Sequence, residues 1–199
     1  MICPLVILAA GQSSRLGQPK QLVSFRGKTL LHRAVDTALS VSVAGWQTPL
    51  AVVLGAQAEA CWSEIETLTI DRLTNDDWAG GMASSVHRAV EWAVDQAADA
   101  LILLLCDQPF VTPDLLVSLI ETHRLTGSSI VASVYDNGTV GVPVLFAKNR
   151  FSDLLALHGD RGAQVLLRQY PELVVTIPFP EGKFDLDTPE DLARLASLE

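Results

Sequence analysis

Short apolar runs alternate along the chain with segments whose apolar residues recur at helical spacing. The runs of strand length predict four strands in the first part of the chain, at residues 5–10, 49–55, 69–75 and 100–106. The segments of helical period predict helices after these strands, at residues 29–39, 56–65, 82–97 and 112–125. Alternation of this kind favours a mostly parallel sheet that is covered by helices on both faces.

The rest of the chain predicts an antiparallel element and a capped last helix. "SSIVASVY" at 128–135 and "VPVLFA" at 142–147 flank an Asn-Gly pair, which is typical of a β-hairpin. One or two helices, a strand near 173–179 and a helix over 188–198 follow. Because no repeat or linker divides the 199 residues, we expect one α/β domain, residues 1–199, with a mixed sheet.

Composition and charge disfavour several classes of protein. Apolar residues make up 49% of the chain and charged residues 19%, which is typical of a folded protein. The 14 basic and 23 acidic residues give a net charge of −9, which disfavours non-specific nucleic-acid binding. No apolar run reaches the roughly 18 residues that span a bilayer, and "MICPLVILAAG" lacks the basic region of a signal peptide. The three cysteines, Cys3, Cys61 and Cys106, are scattered as in reduced thiols. We therefore expect a cytoplasmic protein without nucleic-acid or membrane partners.

The segment "GQSSRLGQPK" at residues 11–20 directly follows the first predicted strand. Ligands of open parallel sheets bind beyond the carboxyl ends of the strands, so this loop is a candidate site. Gly11 and Gly17 permit backbone conformations that are closed to other residues, while Arg15 and Lys20 supply positive charge for phosphate oxygens. These features favour a phosphate-binding loop, although a mobile connector has a similar composition.

Asp107 lies at the end of the most apolar predicted strand, in "LLLCDQP". A carboxylate in this place could ligate Mg²⁺, which usually takes one or two carboxylates together with phosphate oxygens. The alternative is an aspartate that begins a turn before Pro109. A third polar segment, "NDDWAGGMASSV" at 75–86, offers backbone and hydroxyl donors to a ligand, or is an ordinary helix N-terminus.

The segment "FDLDTPEDL" at 184–192 begins the last predicted helix. Asp187 or Thr188 can cap this helix, and Pro189 suits its first turn. Capping does not need both Asp185 and Asp187, so one of them is left as a candidate second metal ligand.

Taken in order, these segments resemble those of a known family. "LAAGQSSRLGQPK" at residues 8–20 is similar to the L-A-A-G-x-S-x-R-M-G-x-x-K signature of nucleotidyltransferases, with Leu16 in place of the methionine. Five further pieces extend the resemblance over nearly the whole chain: "NDDWAGGMASSV", "LCDQPFVTPDLL", "GVPVLF", "LHGDRGAQVLL" and "FDLDTPEDL". The sequence thus resembles the MobA-like NTP transferase family and, within it, the branch of molybdenum cofactor cytidylyltransferases.

This resemblance implies a fold and a set of site residues. The fold is the nucleotide-diphospho-sugar transferase fold, a Rossmann-like three-layer α/β fold with a mixed sheet. Arg15 and Lys20 would hold the triphosphate, and Asp107 would bind Mg²⁺ together with Asp187. The implied nucleotide-binding residues lie in the first glycine loop and around the start of the helix near residue 82: Leu8, Ala9, Ala10, Gly11, Ser13, Ser14, Gly17, Gly81, Ser84 and Ser85.

The resemblance also implies a reaction. CMP would pass from CTP to the phosphate of a molybdopterin-type cofactor, with release of pyrophosphate and with Mg²⁺ as the cofactor. "LAAG" and "CDQP" favour cytidylyl transfer, whereas "LAGG" favours guanylyl transfer. The alternative within enzymes is therefore a GTP-using guanylyltransferase of molybdenum cofactor or phospholactate type.

One departure from the family pattern concerns the acceptor. Relatives that handle the pterin cofactor often have Gly-His-Pro where this chain has Gly141-Val142-Pro143, and the side chain of Val142 neither donates a hydrogen bond nor titrates. This departure leaves the acceptor open and motivates a second alternative, a non-catalytic accessory protein that delivers the finished cofactor to a molybdenum hydroxylase client. "GDRGA" at 159–163 is intact and indicates either an acceptor-side loop or a helix entry.

Overall fold

The computed structural model describes residues 1–184, 186 and 188–198. The strands of this part of the chain are β1 Leu5–Ala9, β2 Ser24–Phe25, β3 Lys28–Thr29, β4 Leu50–Leu54, β5 Asp71–Thr74, β6 Ala100–Leu105, β7 Ile130–Val134, β8 Val140–Ala147 and β9 Val174–Pro178. The α-helices are α1 Leu30–Leu39, α2 Ala58–Ser63, α3 Met82–Asp95, α4 Pro113–Thr126, α5 Phe151–Leu155, α6 Gln164–Gln169 and α7 Pro189–Ala196. The predicted strands and helices are present, with small shifts at their ends.

Seven of these strands form one mixed sheet in the order β5-β4-β1-β6-β8-β7-β9. β1 is parallel to both of its neighbours, β4 and β6, and β5 is parallel to β4. β8 runs antiparallel to β6 and to β7, whereas β9 is parallel to β7. The predicted hairpin is therefore confirmed, because β7 and β8 pair across the Asn-Gly turn. β2 and β3 form a separate two-stranded ribbon.

The sheet is covered on both faces, as the strand–helix alternation predicts. Every residue of β1 and of β4 is buried, which is expected of central parallel strands. Val6 and Leu8 pack with residues of α3, α5 and α6, whereas Leu5 and Ile7 pack with residues of α1, α2 and α4. Successive side chains of a strand point to opposite faces, so one strand supplies both cores of a three-layer structure.

Local capping fixes where three of the helices begin. The Thr29 hydroxyl accepts from the N–H of His32 at the start of α1, and the Thr112 hydroxyl accepts from that of Leu115 at the start of α4. At α7, Thr188 is the N-cap, and its side chain and that of Asp191 form a reciprocal capping box. Thr112 thus fills its predicted role, and Asp187, the other candidate cap of the last helix, lies outside the described residues.

A third, smaller core attaches the C-terminal helix beside the first glycine loop. Its buried members come from the loop, from the β2–α1 region and from the chain around α7: Leu16, Phe25, Leu30, Phe184, Leu186 and Leu195. The ring of Phe110, which follows β6, lies edge-on to those of Phe25 and Phe184. Along the described ranges, no helix is both long and apolar enough to cross a membrane.

Candidate functional site

The loops that follow parallel strands meet at the carboxyl edge of the sheet. The N–H of Ala56, after β4, donates to the carbonyl of Ala10, after β1, at 3.1 Å. A Cβ on Gly55 would lie 2.7 Å from both the Ala10 carbonyl oxygen and the Cβ of Trp78. Because Trp78 belongs to the polar segment 75–86, this close packing brings that segment against the glycine loop.

The glycine loop is held in shape by a side chain to which the sequence analysis gave no role. Gln21 is buried, and its Nε2 donates to the carbonyls of Ala9 at 2.9 Å and Gly11 at 2.7 Å. Ser13 has a φ of +56°, a conformation uncommon outside glycine, and its hydroxyl accepts from the N–H of Lys20 at 3.1 Å. These contacts fold residues 9–21 into a fixed loop, which argues against a mobile connector.

This loop encloses a pocket of about 170 Å³. Its lining contains Arg15 and Lys20, which were predicted to hold the triphosphate. The rest of the lining consists of three predicted nucleotide-binding residues, Gly11, Ser13 and Ser14, and of Leu16 and Leu186. Gly17 has a φ of +74°, where glycine is favoured because it has no Cβ. The pocket is polar and small, which suits phosphate groups better than a whole nucleotide.

Lys20 and Asp107 join the glycine loop to the end of β6 through an ion pair. The Asp107 side chain is 5% exposed and that of Lys20 is 23% exposed, so the carboxylate is the deeper partner. Asp107 Oδ2 contacts Lys20 Nζ, whereas the buried Oδ1 has no hydrogen-bond partner in the described structure. A buried carboxylate oxygen without a partner is costly, so this atom is a candidate ligand for a cation.

The donor set around Asp107 fits Mg²⁺ better than a cation that needs an all-protein cage. Within the described ranges, no group of three or more His, Cys, Asp or Glu side chains is placed to hold a metal. Mg²⁺ usually keeps water and substrate phosphates as ligands and needs one or two carboxylates. Asp187, the predicted second ligand, lies outside the described residues.

Asn75, after β5, is a buried residue that the sequence analysis also left without a role. Its Nδ2 donates to the hydroxyls of Ser84 at 2.9 Å and Ser85 at 3.0 Å, and its Oδ1 accepts from the N–H of Asp77 at 3.0 Å. The Ser84 hydroxyl in turn donates to the Gly81 carbonyl at 2.8 Å. Both serine hydroxyls therefore bind protein groups and orient the start of α3, and their contact with a nucleotide stays a prediction.

Position 81 requires glycine because of its backbone conformation and because of its close contact with Gly159. Gly81 has a φ of +106°, and a Cβ there would lie 2.4 Å from the carbonyl carbon of Gly159. We expect Gly81→Ala to lower the free energy of unfolding by about 1–3 kcal/mol, because the chain must strain or the 159–163 loop must move. Urea denaturation measures this loss.

Gly80 provides the matched control for Gly81→Ala. A Cβ on Gly80 meets nothing within 4 Å. Gly80→Ala should therefore change the free energy of unfolding by less than about 1 kcal/mol. Equal losses in the two variants would contradict the role assigned to Gly81.

A second cavity, of about 290 Å³, is lined by a different set of residues. It brings Val142 together with Asp160 and Gly162 of the predicted acceptor-side loop, and it also contains Leu8 of the nucleotide motif. Gln108 and Tyr135, which the sequence analysis did not select, complete its polar side. Gln108 stands inside the quoted "CDQP" piece, which is the signal that could have identified it.

Cys106, next to Asp107, is not a nucleophile in this structure. Burial is the main cause that raises the pKa of its thiol well above the ordinary value, so it stays protonated at neutral pH. Burial raises the pKa of Cys61 to about 11 and that of Cys3 further. Burial thus disfavours a thiolate at Cys106.

Comparison with known sequences identifies relatives along most of the chain. The profile of the MobA-like NTP transferase domain matches residues 5–174. Nicotine blue oxidoreductase of Paenarthrobacter nicotinovorans is 35% identical over 201 residues, 96% of this chain and 94% of that protein. Purine catabolism protein PucB of Bacillus subtilis is 30% identical, in an alignment that covers 96% of this chain and 95% of that protein. Molybdenum cofactor guanylyltransferase of Rhodobacter capsulatus is 27% identical, in an alignment that covers 95% of this chain and 92% of that protein.

Solved structures show the same architecture. The homologue of Mycobacterium tuberculosis Rv0371c from Mycobacterium sp. strain JC1 superposes with a TM-score of 0.83 at 33% identity, covering 99% of this chain and 98% of that one. Rv0371c of M. tuberculosis H37Rv, in complex with manganese, superposes with a TM-score of 0.77 at 28% identity, and the superposition covers 98% of each chain. The predicted nucleotide-diphospho-sugar transferase fold is confirmed.

Proposed function

Because the chain belongs to the MobA-like NTP transferase family of nucleotidyltransferases, we propose that it transfers CMP from CTP to the phosphate of a molybdopterin-type cofactor and releases pyrophosphate. The observation that carries this proposal is the Lys20–Asp107 pair at the mouth of the glycine loop. It places a cation for phosphate oxygens beside a buried carboxylate oxygen that can ligate a metal. This arrangement suits a reaction on a nucleoside triphosphate.

In the proposed reaction, an oxygen of the acceptor phosphate attacks the α-phosphorus of the NTP. A new phosphorus–oxygen bond forms as the bond between the α-phosphorus and the bridging oxygen breaks, and pyrophosphate leaves with that oxygen. The protein supplies position and charge for this step rather than a covalent intermediate. Arg15 and Lys20, which line the small pocket, would hold the triphosphate and stabilise the charge that develops on the leaving group.

Mg²⁺ is the proposed cofactor, and Asp107 is the described residue that would hold it. A bound Mg²⁺ would neutralise phosphate charge and polarise the phosphorus under attack. Two observations support a divalent cation here: the unpartnered, buried Oδ1 of Asp107, and the manganese complex of the related Rv0371c. Lys20 now contacts the same carboxylate, so we expect its Nζ to turn toward the triphosphate when metal and nucleotide bind.

The proposed choice of CTP depends on the space around Ala10. Gly55 packs closely against both Ala10 and Trp78, so the wall on this side of the start of the glycine loop is closed. A closed wall favours a pyrimidine over the larger purine. The relative named as a guanylyltransferase shows why the choice of base needs a direct test.

Pyrophosphate release measured with ATP, CTP, GTP and UTP, each with and without molybdopterin, tests the proposed function. We expect release that requires both a divalent cation and molybdopterin, with CTP as the best substrate. Preference for GTP would replace the cytidylyl proposal by guanylyl transfer. Tight binding of the cofactor without turnover of any NTP would indicate the accessory protein instead.

One further arm of this assay uses a reduced nicotinamide cofactor. The relative from Paenarthrobacter is named an oxidoreductase. Consumption of the nicotinamide cofactor with a dye acceptor, in the absence of pyrophosphate release, would contradict nucleotidyl transfer for this chain. No change in nicotinamide absorbance is the expected result.

A further inference from the structure

The second cavity has an apolar wall and a polar support behind it. Leu8, Leu103 and Leu105, from β1 and β6, line one side. Val142 lines another, and its side chain also packs against the core on that face of the sheet. The side chain of Val142 therefore presents an apolar surface to the cavity.

Gln108 stabilises this part of the cavity lining through the hydrogen bonds of its side-chain amide. Its side chain is buried, and Nε2 lies 3.1 Å from the Tyr135 hydroxyl, 3.3 Å from the Val142 carbonyl and 3.3 Å from the Gly182 carbonyl. Backbone carbonyls only accept hydrogen bonds, so the amide nitrogen must face them. One side chain therefore ties together the end of β6, the start of β8 and the turn that precedes α7.

Tyr135 occupies a slot that two glycines make possible. A Cβ on Gly141 would lie 2.5 Å from the Tyr135 hydroxyl, and a Cβ on Gly182 would lie 2.2 Å from its ring. The hydroxyl donates to the Val142 carbonyl at 2.6 Å. The ring is thus enclosed by backbone, and its hydroxyl position is fixed by that enclosure.

These contacts immobilise Val142. Its carbonyl accepts from both Tyr135 and Gln108, which uses both lone pairs of that oxygen. Gln108 also follows Asp107 directly in the chain, so the wall of the second cavity and the candidate metal carboxylate are connected through one peptide bond. A shift of Val142 would therefore change the distance between an acceptor and the nucleotide site.

We propose that Gln108 and Tyr135 are positioning residues for the acceptor. They hold Val142 so that its side chain forms a fixed apolar wall for a fused heterocyclic ring system, with the phosphate of that acceptor directed toward Asp107. The cavity volume of about 290 Å³ suits a ring system of this size. The proposal rests on the proposed function, because it concerns the acceptor of that same reaction.

Tyr135→Phe tests the proposal with little change of shape. The ring stays in its slot, while the hydrogen bond to Val142 is lost. The variant should raise the KM for molybdopterin at least about fivefold, the range expected for one hydrogen bond, and leave the KM for the NTP within about twofold. Gln108→Met, which keeps an unbranched side chain of similar length, should raise the molybdopterin KM further.

Tyr170→Phe is the matched control, since Tyr170 is the other tyrosine of the chain and its hydroxyl takes part in an exposed hydrogen bond with Gln169. It should leave both KM values unchanged. A purely structural role of Tyr135 would change kcat, both KM values or the melting temperature together. That result, or an unchanged molybdopterin KM in a folded Tyr135→Phe protein, would overturn the proposal.

A direct measurement of molybdopterin binding distinguishes failure of this proposal from failure of the proposed function. If the wild-type protein transfers no nucleotide to molybdopterin, the proposed function fails, and equilibrium binding of molybdopterin without NTP becomes the readout. At least about fivefold weaker binding by Tyr135→Phe than by wild type would still support the positioning role. Equal binding by the two proteins, or no binding by wild type, would overturn it.

Discussion

Lys20→Ala should lower the rate of pyrophosphate release at saturating CTP and molybdopterin at least about tenfold, because the variant loses a preorganised cation for the leaving group. Lys20 lines the small pocket and reaches from the glycine loop to Asp107. The charge on the departing pyrophosphate grows during transfer, so the loss should fall on kcat more than on the KM for CTP. Steady-state kinetics at fixed Mg²⁺ measures both.

The same variant should also be less stable, and this effect must be kept apart from catalysis. Removing Lys20 takes the charged partner of Oδ2 from a buried carboxylate, which should cost roughly 1–3 kcal/mol, less than in a fully buried pair because Lys20 is partly solvated. Rates are therefore measured well below the melting temperature of the variant. Lys28→Ala removes one partner of an exposed ion pair with Asp36 and is the matched control. Equal turnover of a folded Lys20→Ala protein and the control would remove Lys20 from the catalytic step.

The sequence predicts those parts of the fold that depend on interactions between residues close together in the chain. Alternating apolar runs, the Thr112 cap and the Asn-Gly turn each act over a few residues, so they identify the strands, α4 and the β7–β8 hairpin. The order of the strands in the sheet depends on contacts between distant segments. The pairing of β6 with β8, for example, joins residues that are 41 to 47 positions apart, and it leaves no local pattern in the sequence.

In the candidate site, too, some residues could be selected from the sequence and others only from the folded chain. Arg15, Lys20 and Asp107 were selected because their residue types and places at strand ends suit phosphate and metal chemistry, and the structure joins Lys20 to Asp107. Gln21, Asn75 and Gln108 support the site through buried amides that bind backbone or hydroxyl groups. An amide side chain in a polar segment looks solvent-exposed in the sequence, so its burial could be known only from the folded chain.

Asp107→Asn should abolish the response of the protein to divalent cations and lower the rate of transfer at least about tenfold, because the amide keeps the size of the carboxylate and removes its charge. In the wild-type protein, Mg²⁺ or Mn²⁺ together with CTP should raise the melting temperature, since a ligand that binds the folded state stabilises it. The variant should lose the part of this shift that depends on the metal. Titration of Mn²⁺, followed by water proton relaxation, measures the metal affinity directly.

Stability should change little in Asp107→Asn, and this separates it from Lys20→Ala. Neutralising a buried group relieves the cost of desolvating its charge, which offsets the loss of the ion pair with the partly exposed Lys20. We therefore expect a change of no more than about 1 kcal/mol in the free energy of unfolding. Asp36→Asn, in the exposed pair with Lys28, should keep full activity and the full metal response. Mn²⁺ affinity equal to wild type in Asp107→Asn would assign the metal to other ligands, and Asp107 would then serve only to hold Lys20.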